Sequence, residues 1–198
     1  MFTFMRQITT IFFATIFLSS CACLKKNIDN NRISLTESNL TLLDGKYVRK
    51  SLPQGKDSVI GDLFTNFFAD SYSYHFRNSD MGLNLKSDVD FLELKVINKN
   101  RILVSYINEN DTLASKIIKG KIKNGNFELR RRYFIVPMVF TNLYRNSKFR
   151  IGLSNDNNLI GDYKTISFGT VMVLFPFVDN NSENNMIYKR TENRIEKE

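Results

Sequence analysis

The sequence predicts a mostly β protein: an antiparallel up-and-down β-barrel with one short amphipathic helix after the first strand. Three observations predict it. Apolar and polar residues alternate over many short runs, the period of half-buried strands. Close turns rich in Asn, Asp and Gly separate those runs, with no long crossovers of the kind parallel strands need. One early stretch, by contrast, repeats its apolar residues at helical spacing.

The folded part opens at Leu43-Asp44-Gly45-Lys46-Tyr47-Val48, where Gly45 permits a turn and Tyr47 starts a strand. The helix follows over Ser58 to Phe68. Its apolar residues fall at Ile60, Leu63, Phe64, Phe67 and Phe68, one face of a helix, and Asp57 or Ser58 is placed to cap it. Such a helix is either a lid over the barrel mouth or a plug that completes the core, and its continuous apolar face favours the plug.

Beyond Asp70 the period becomes two. Tyr72, Tyr74 and Phe76 alternate with Ser71, Ser73 and His75, and Leu92, Leu94 and Val96 with Phe91, Glu93 and Lys95. A turn at Lys99-Asn100 leads to a strand from Ile102 to Ile107, and one at Asn108 to Asp111 leads to Leu113 to Lys123. Asn124-Gly125 is the strongest hairpin signal, because a type I′ turn needs positive φ at both positions. It feeds a strand from Phe127 to Val136, ended by Pro137. Further strands are expected at Val139 to Tyr144, Phe149 to Leu153, Leu159 to Tyr163, Ile166 to Phe177 and Met186 to Lys189, with an Asn-rich turn at Asn155 to Asn158.

The opening Leu43-Asp44-Gly45-Lys46-Tyr47 resembles the Gly-x-Trp or Gly-x-Tyr start of lipocalin-like barrels. The helix with Leu63-Phe64, the Gly120 to Arg132 hairpin and the stretch Ile151 to Leu159 extend the likeness. The mature pattern is similar to small lipocalin-like lipoproteins of Bacteroidetes-type bacteria that have no assigned function. Tyr47 stands where the family usually has Trp, and the chain has no Trp at all. The resemblance implies a barrel able to hold a small apolar or amphipathic ligand.

The N-terminal region supplies an address. Arg6 precedes an apolar stretch from Ile8 to Leu18, then the small residues Ser19 and Ser20, then Cys21. This is the layout of a secretory signal, and its apolar part is shorter than the roughly 20 residues that span a bilayer. Leu18-Ser19-Ser20-Cys21 resembles the bacterial lipobox, which implies lipidation at Cys21 and a membrane partner through that anchor. Ala22 after the cysteine implies the outer membrane, and the absence of an acidic cluster implies a periplasm-facing position. Residues 1–20 are then signal peptide, 21–40 a lipidated Cys and flexible Asn-rich tether, 41–190 the barrel domain and 191–198 a charged tail. With Cys21 acylated, Cys23 has no intramolecular disulfide partner.

Composition narrows the function. With 17 Phe, 8 Tyr and no Trp, the core must be built on Phe. The formal charge is +8, but the cations are scattered, and anionic head groups suit an exported chain better than nucleic acid. His75 is the sole histidine, which excludes a multi-histidine metal site and argues against a catalytic triad. Asp88 and Asp90 alone name no glycosidase, the Asp156 region lacks the Gly and Glu of a calcium loop, and no phosphate-cradling glycine loop is present. The reading is non-enzymatic, with no cofactor and no metal. The first reading is a carrier that binds a small apolar or amphipathic ligand inside the barrel, and the alternative is a structural or protein-interaction module of the cell envelope acting through its outer surface.

The Asn124-Gly125 hairpin holds the candidate site. In its simplest register Lys123 pairs with Asn126, Lys121 with Glu128 and Lys119 with Arg130 on a wet face. The other face sets Ile118, Gly120 and Ile122 against Phe127, Leu129 and Arg131. An inward Arg131 needs a partner: a ligand carboxylate or phosphate beside Phe127 and Leu129, an internal acid, or a bulge that returns it to solvent. Lys119, Lys121, Arg130 and Arg132 form a basic patch, partly neutralised by Glu128, that is a solvated face in preference to a contact for anionic head groups.

Overall fold

The computed structural model describes residue 24 and residues 31–53, 60–68, 91–108, 111–137, 141–171 and 175–191. The signal peptide, Cys21, Cys23, the Asp57 and Ser58 caps, the Tyr72–Phe76 strand with His75, and the last seven residues lie outside them.

The described chain is mostly β. Its strands are β1 (Arg32–Ile33), β2 (Gly45–Val48), β3 (Phe91–Asn98), β4 (Arg101–Asn108), β5 (Asp111–Lys123), β6 (Asn126–Leu129), β7 (Arg132–Pro137), β8 (Thr141–Ser154), β9 (Leu159–Val171), β10 (Phe175–Tyr188) and β11 (Arg190–Thr191). A 3-10 turn covers Leu40–Leu43 and one α-helix, α1, covers Leu63–Phe68. All eleven strands join one antiparallel sheet, in the order β10-β9-β8-β6-β5-β4-β3-β2-β11, with β1 and β7 also paired to β8. The path is open, yet its two end strands are separated in the chain by Lys189 alone. Val48 N donates to Lys189 O (2.8 Å) and Leu52 N to Ile187 O (2.7 Å).

The β5–β6 hairpin takes the expected register, Lys123 to Asn126, Lys121 to Glu128 and Gly120 to Leu129. Asn124 and Gly125 have φ of 50° and 71°, the positive pair that a type I′ turn requires. Several expected boundaries shift. The stretch Arg145–Lys148 continues β8, because β9 pairs with all four residues and β7 with Arg145, Asn146 and Ser147. The run from Ile166 to Phe177 divides between β9 and β10. Met186 is the far end of the long β10 rather than a separate short strand.

A tether was expected to reach residue 40, but residues 31–40 do not form one. From Asn31 the chain belongs to the folded body. Ile33 pairs with Leu153, Leu35 N donates to Gly125 O (2.9 Å), and Leu35 and Leu40 are buried in the core. Too few apolar residues mark this segment in sequence, but Leu35, Leu40 and Leu43 suffice because the sheet supplies the surface they cover.

The helix is shorter than the sequence pattern, and Asp62 starts it. Asp62 Oδ1 accepts Phe64 N–H (2.9 Å) and Thr65 N–H (3.4 Å), satisfying two of the donors a helix start leaves open. Ile60 lies before the first turn and is exposed. Leu63, Phe64 and Phe67 are buried. The Phe64 ring lies 4.7 Å from Tyr106, and the Phe67 ring meets Phe149 edge-on at 5.4 Å. Arg49 binds Asp62 (2.6 Å) and lies over the Phe64 ring at 5.5 Å. The core gathers Tyr47, Leu92, Leu94, Val104, Phe127, Ile151, Leu153, Leu159 and Tyr188 around α1. Each fully buried Leu or Phe contributes roughly 1.5–3 kcal/mol.

Candidate functional site

The strand that leaves the Asn124-Gly125 turn carries a bulge. Glu128 faces Arg150 in β8, and Arg132 faces Ser147. Leu129, Arg130 and Arg131 therefore stand opposite Lys148 and Phe149, three residues against two. One extra residue of this kind bends a strand and re-aims its side chains. Arg130 N still donates to Lys119 O (3.0 Å), after which the ladder between β5 and this strand ends.

The bulge corrects the inward placement of Arg131 that the simplest register gives. Arg131 is half-buried at the break between β6 and β7. It lines an open groove of about 490 Å³ with Lys119, Lys121, Lys123, Glu128, Leu129, Arg130 and Lys148. A second cleft of about 210 Å³ shares Lys119, Leu129, Arg130 and Arg131 and adds Lys116 and Arg132. Phe127 is a core residue. Leu129 belongs to the core and also floors both clefts. Lys119, Lys121 and Arg130 of the expected basic patch meet in the larger groove. Arg132 lines the smaller one, and one of its terminal nitrogens donates to Phe67 O (2.9 Å).

Gly120 shapes the groove floor. A Cβ there would lie 2.5 Å from the Phe127 ring and 2.7 Å from Glu128 O. Its absence lets the ring pack beneath the strand while Lys119 and Lys121 project from the opposite side.

The larger groove is electrostatically one-sided. Among the described residues six cations line it with one acid, Glu128, and Glu128 pairs with Lys148 at 2.7 Å, both side chains being about nine-tenths buried. Asn126 and Glu128, expected on a wet face, are buried because β8 runs beside β6 and brings Lys148 and Arg150 over them. Among its described lining residues cations outnumber acids, so an anion entering it meets a net positive field. Its size falls within the roughly 300–1,000 Å³ typical of small-ligand sites.

Beside the groove lies a polar network that sequence reasoning missed. Asp162 of β9 is fully buried and receives Arg150 Nε at 2.6 Å and both terminal nitrogens of Arg32 at 2.9 and 2.8 Å. Asn185 N donates to the same carboxylate (2.8 Å), and Arg32 also donates to Asn126 Oδ1 (3.2 Å) and to Asn185 Oδ1. Burial alone would raise the Asp162 pKa. Arg32, Asn185 N–H and Arg150 outweigh it and hold the carboxyl below its ordinary value. The available signal was parity. Arg150 lies between Phe149 and Ile151, and Asp162 between Gly161 and Tyr163, so both point away from the core.

Compared with known proteins, the chain matches no protein-family model, no curated relative and no solved structure.

Proposed function

We propose that this chain is a non-enzymatic envelope lipoprotein that acts through its outer surface, holding the phosphate or carboxylate head of an amphiphile in the basic groove. The observation that carries the reading is the groove's charge: six cations and one acid, Glu128, among its described lining residues. Hydrogen bonds from a lysine or arginine to a phosphate or carboxylate are charge-assisted and stronger than neutral ones. The Leu18-Ser19-Ser20-Cys21 motif supports a membrane anchor at Cys21, and that anchor would keep the groove near head groups. An outer-membrane position facing the periplasm belongs to the same proposal.

The alternative is a lipocalin-like barrel carrying an apolar ligand inside. In its favour, the two ends of the strand path meet at Lys189, and the hairpins follow one another in order. Against it, Phe64, Phe67, Tyr106, Phe127 and Phe149 pack together where such a ligand would sit. The outer-surface reading is therefore preferred.

Dodecyl phosphate, below its micelle concentration, is the test probe. Calorimetry on the full chain should show saturable binding that weakens with added salt. The exposed pair Lys121→Glu and Arg130→Glu should weaken it at least tenfold, and the neutral dodecyl maltoside should not bind. Equal binding by the reversed chain, or none by the parent, rejects the groove.

A further inference from the structure

The outward face of β4, β5 and the end of β6 sets three cations abreast. Arg101 of β4 stands opposite Lys119 of β5, and on the other side Arg130 N donates to Lys119 O (3.0 Å). Residues paired across antiparallel strands share a face, and successive residues alternate. Ile102, Ile118 and Leu129, the sequence neighbours of the three cations, are buried in the core, so the row points outward. Lys121 and Lys123 continue the same face along β5. All five cations are exposed, and among the described residues none of them forms an ion pair. Glu128, opposite Lys121, is buried and bound to Lys148.

Spacing decides how many anions this face takes. Arg101 and Arg130 flank Lys119 at strand separations of about 4.8 Å, while Lys123 lies about 13 Å along the strand from Lys119. A single phosphate beside Lys123 leaves the row without a counter-charge. Like charges directly opposite one another are destabilising. An anion over the row offsets that cost, and guanidinium groups suit its oxygens. Lys119 and Arg130 line the basic groove, whereas Arg101 stands outside that lining, so the row extends the groove by one strand. We infer that the amphiphile's head carries two anionic groups, one held at Lys121 and Lys123 and the other on the Arg101–Lys119–Arg130 row. The inference rests on the groove reading and names its ligand class, a bisphosphate or dicarboxylate head.

Calorimetry on the full chain at low salt compares hexanediol bisphosphate with hexyl phosphate. Two identical heads on one ligand give an advantage of about twofold by number alone, and engaging both sites at once should raise it to at least about tenfold. Arg101→Gln should return the advantage to about twofold. Lys189→Gln, which removes one charge from an exposed position between β10 and β11, should keep it. Suberate against octanoate makes the same comparison for carboxylates, and an advantage lost in Arg101→Gln in either series supports the row and names its chemistry. No advantage in either series, one that survives Arg101→Gln, or one lost equally in Lys189→Gln overturns the inference. Dodecyl phosphate binding without a dianion advantage rejects the row and leaves the groove standing. An Arg101-dependent advantage without dodecyl phosphate binding supports the row and removes the amphiphile.

Discussion

Arg32 reaches across the outer face to Asp162, 130 positions later in the chain, and binds its two carboxylate oxygens at 2.9 and 2.8 Å. Arg150 completes the arrangement from the neighbouring strand. A buried carboxylate with two guanidinium partners is costly to assemble but more costly to break, because removing the anion strands two buried cations. Asp162→Asn is therefore expected to destabilise the fold by about 3–5 kcal/mol. Urea unfolding of the two chains checks this. The same pair sets an acid limit. The Asp162 carboxyl is held below its ordinary value of 3.8, so its contribution is complete above that value and is lost as pH falls through the lower folded one. The melting temperature of the parent should drop as pH falls below about 4, and the Asp162→Asn chain should show a shallower acid limb.

Gly120 and Phe127 form a tighter relationship than their pairing in β5 and β6 implies. An added methyl at Gly120 would meet the Phe127 ring at 2.5 Å and the Glu128 carbonyl at 2.7 Å. The carbonyl belongs to the ladder and cannot turn aside. Gly120→Ala is expected to cost about 1–3 kcal/mol, the range for overpacking. Thermal unfolding measures it. A change within about 0.5 kcal/mol, the range of ordinary surface substitutions, would mean that the hairpin accommodates the methyl by separating there.

What was legible in the sequence follows from how local each determinant is. The Asn124-Gly125 turn was readable because two adjacent residues settle its geometry, and with it the register from Gly120 to Leu129. The helix was readable from Leu63, Phe64 and Phe67, whose spacing is intrinsic. The bulge at Arg130 and Arg131 was open as one choice among three, because its cause is register against β8 and not local sequence. The polar run Asp179 to Asn185 in β10 shows no period, since pairing with β9 and not burial of one face holds it extended. Arg32 was assigned to a tether because its partner Asp162 is remote and a salt bridge leaves no periodic trace. The basic groove was half visible: Lys119, Lys121, Arg130 and Arg132 were identified, while Lys148, which arrives from β8, was not.

Phe67 distinguishes a plug from a lid. Its ring sits edge-on to Phe149 at 5.4 Å, and its carbonyl accepts a hydrogen bond from Arg132 at 2.9 Å. The second contact satisfies a last-turn acceptor that a helix end leaves open, and a cation is the favoured donor there. Arg132 follows directly on the bulge, so the helix end is tied to the groove's edge. A lid opens at small cost, and truncating its side chain would barely move global stability. A plug is part of the core, where Phe→Ala costs about 3–5 kcal/mol. Phe67→Ala is expected to fall in that upper range by urea unfolding, with one cooperative transition. Arg132→Met keeps the apolar stem but removes the donor, and should cost about 1–3 kcal/mol through the unpaired carbonyl. A Phe67→Ala chain within 1 kcal/mol of the parent, about the median for point substitutions, would make α1 a cover and return the interior to the list of binding sites.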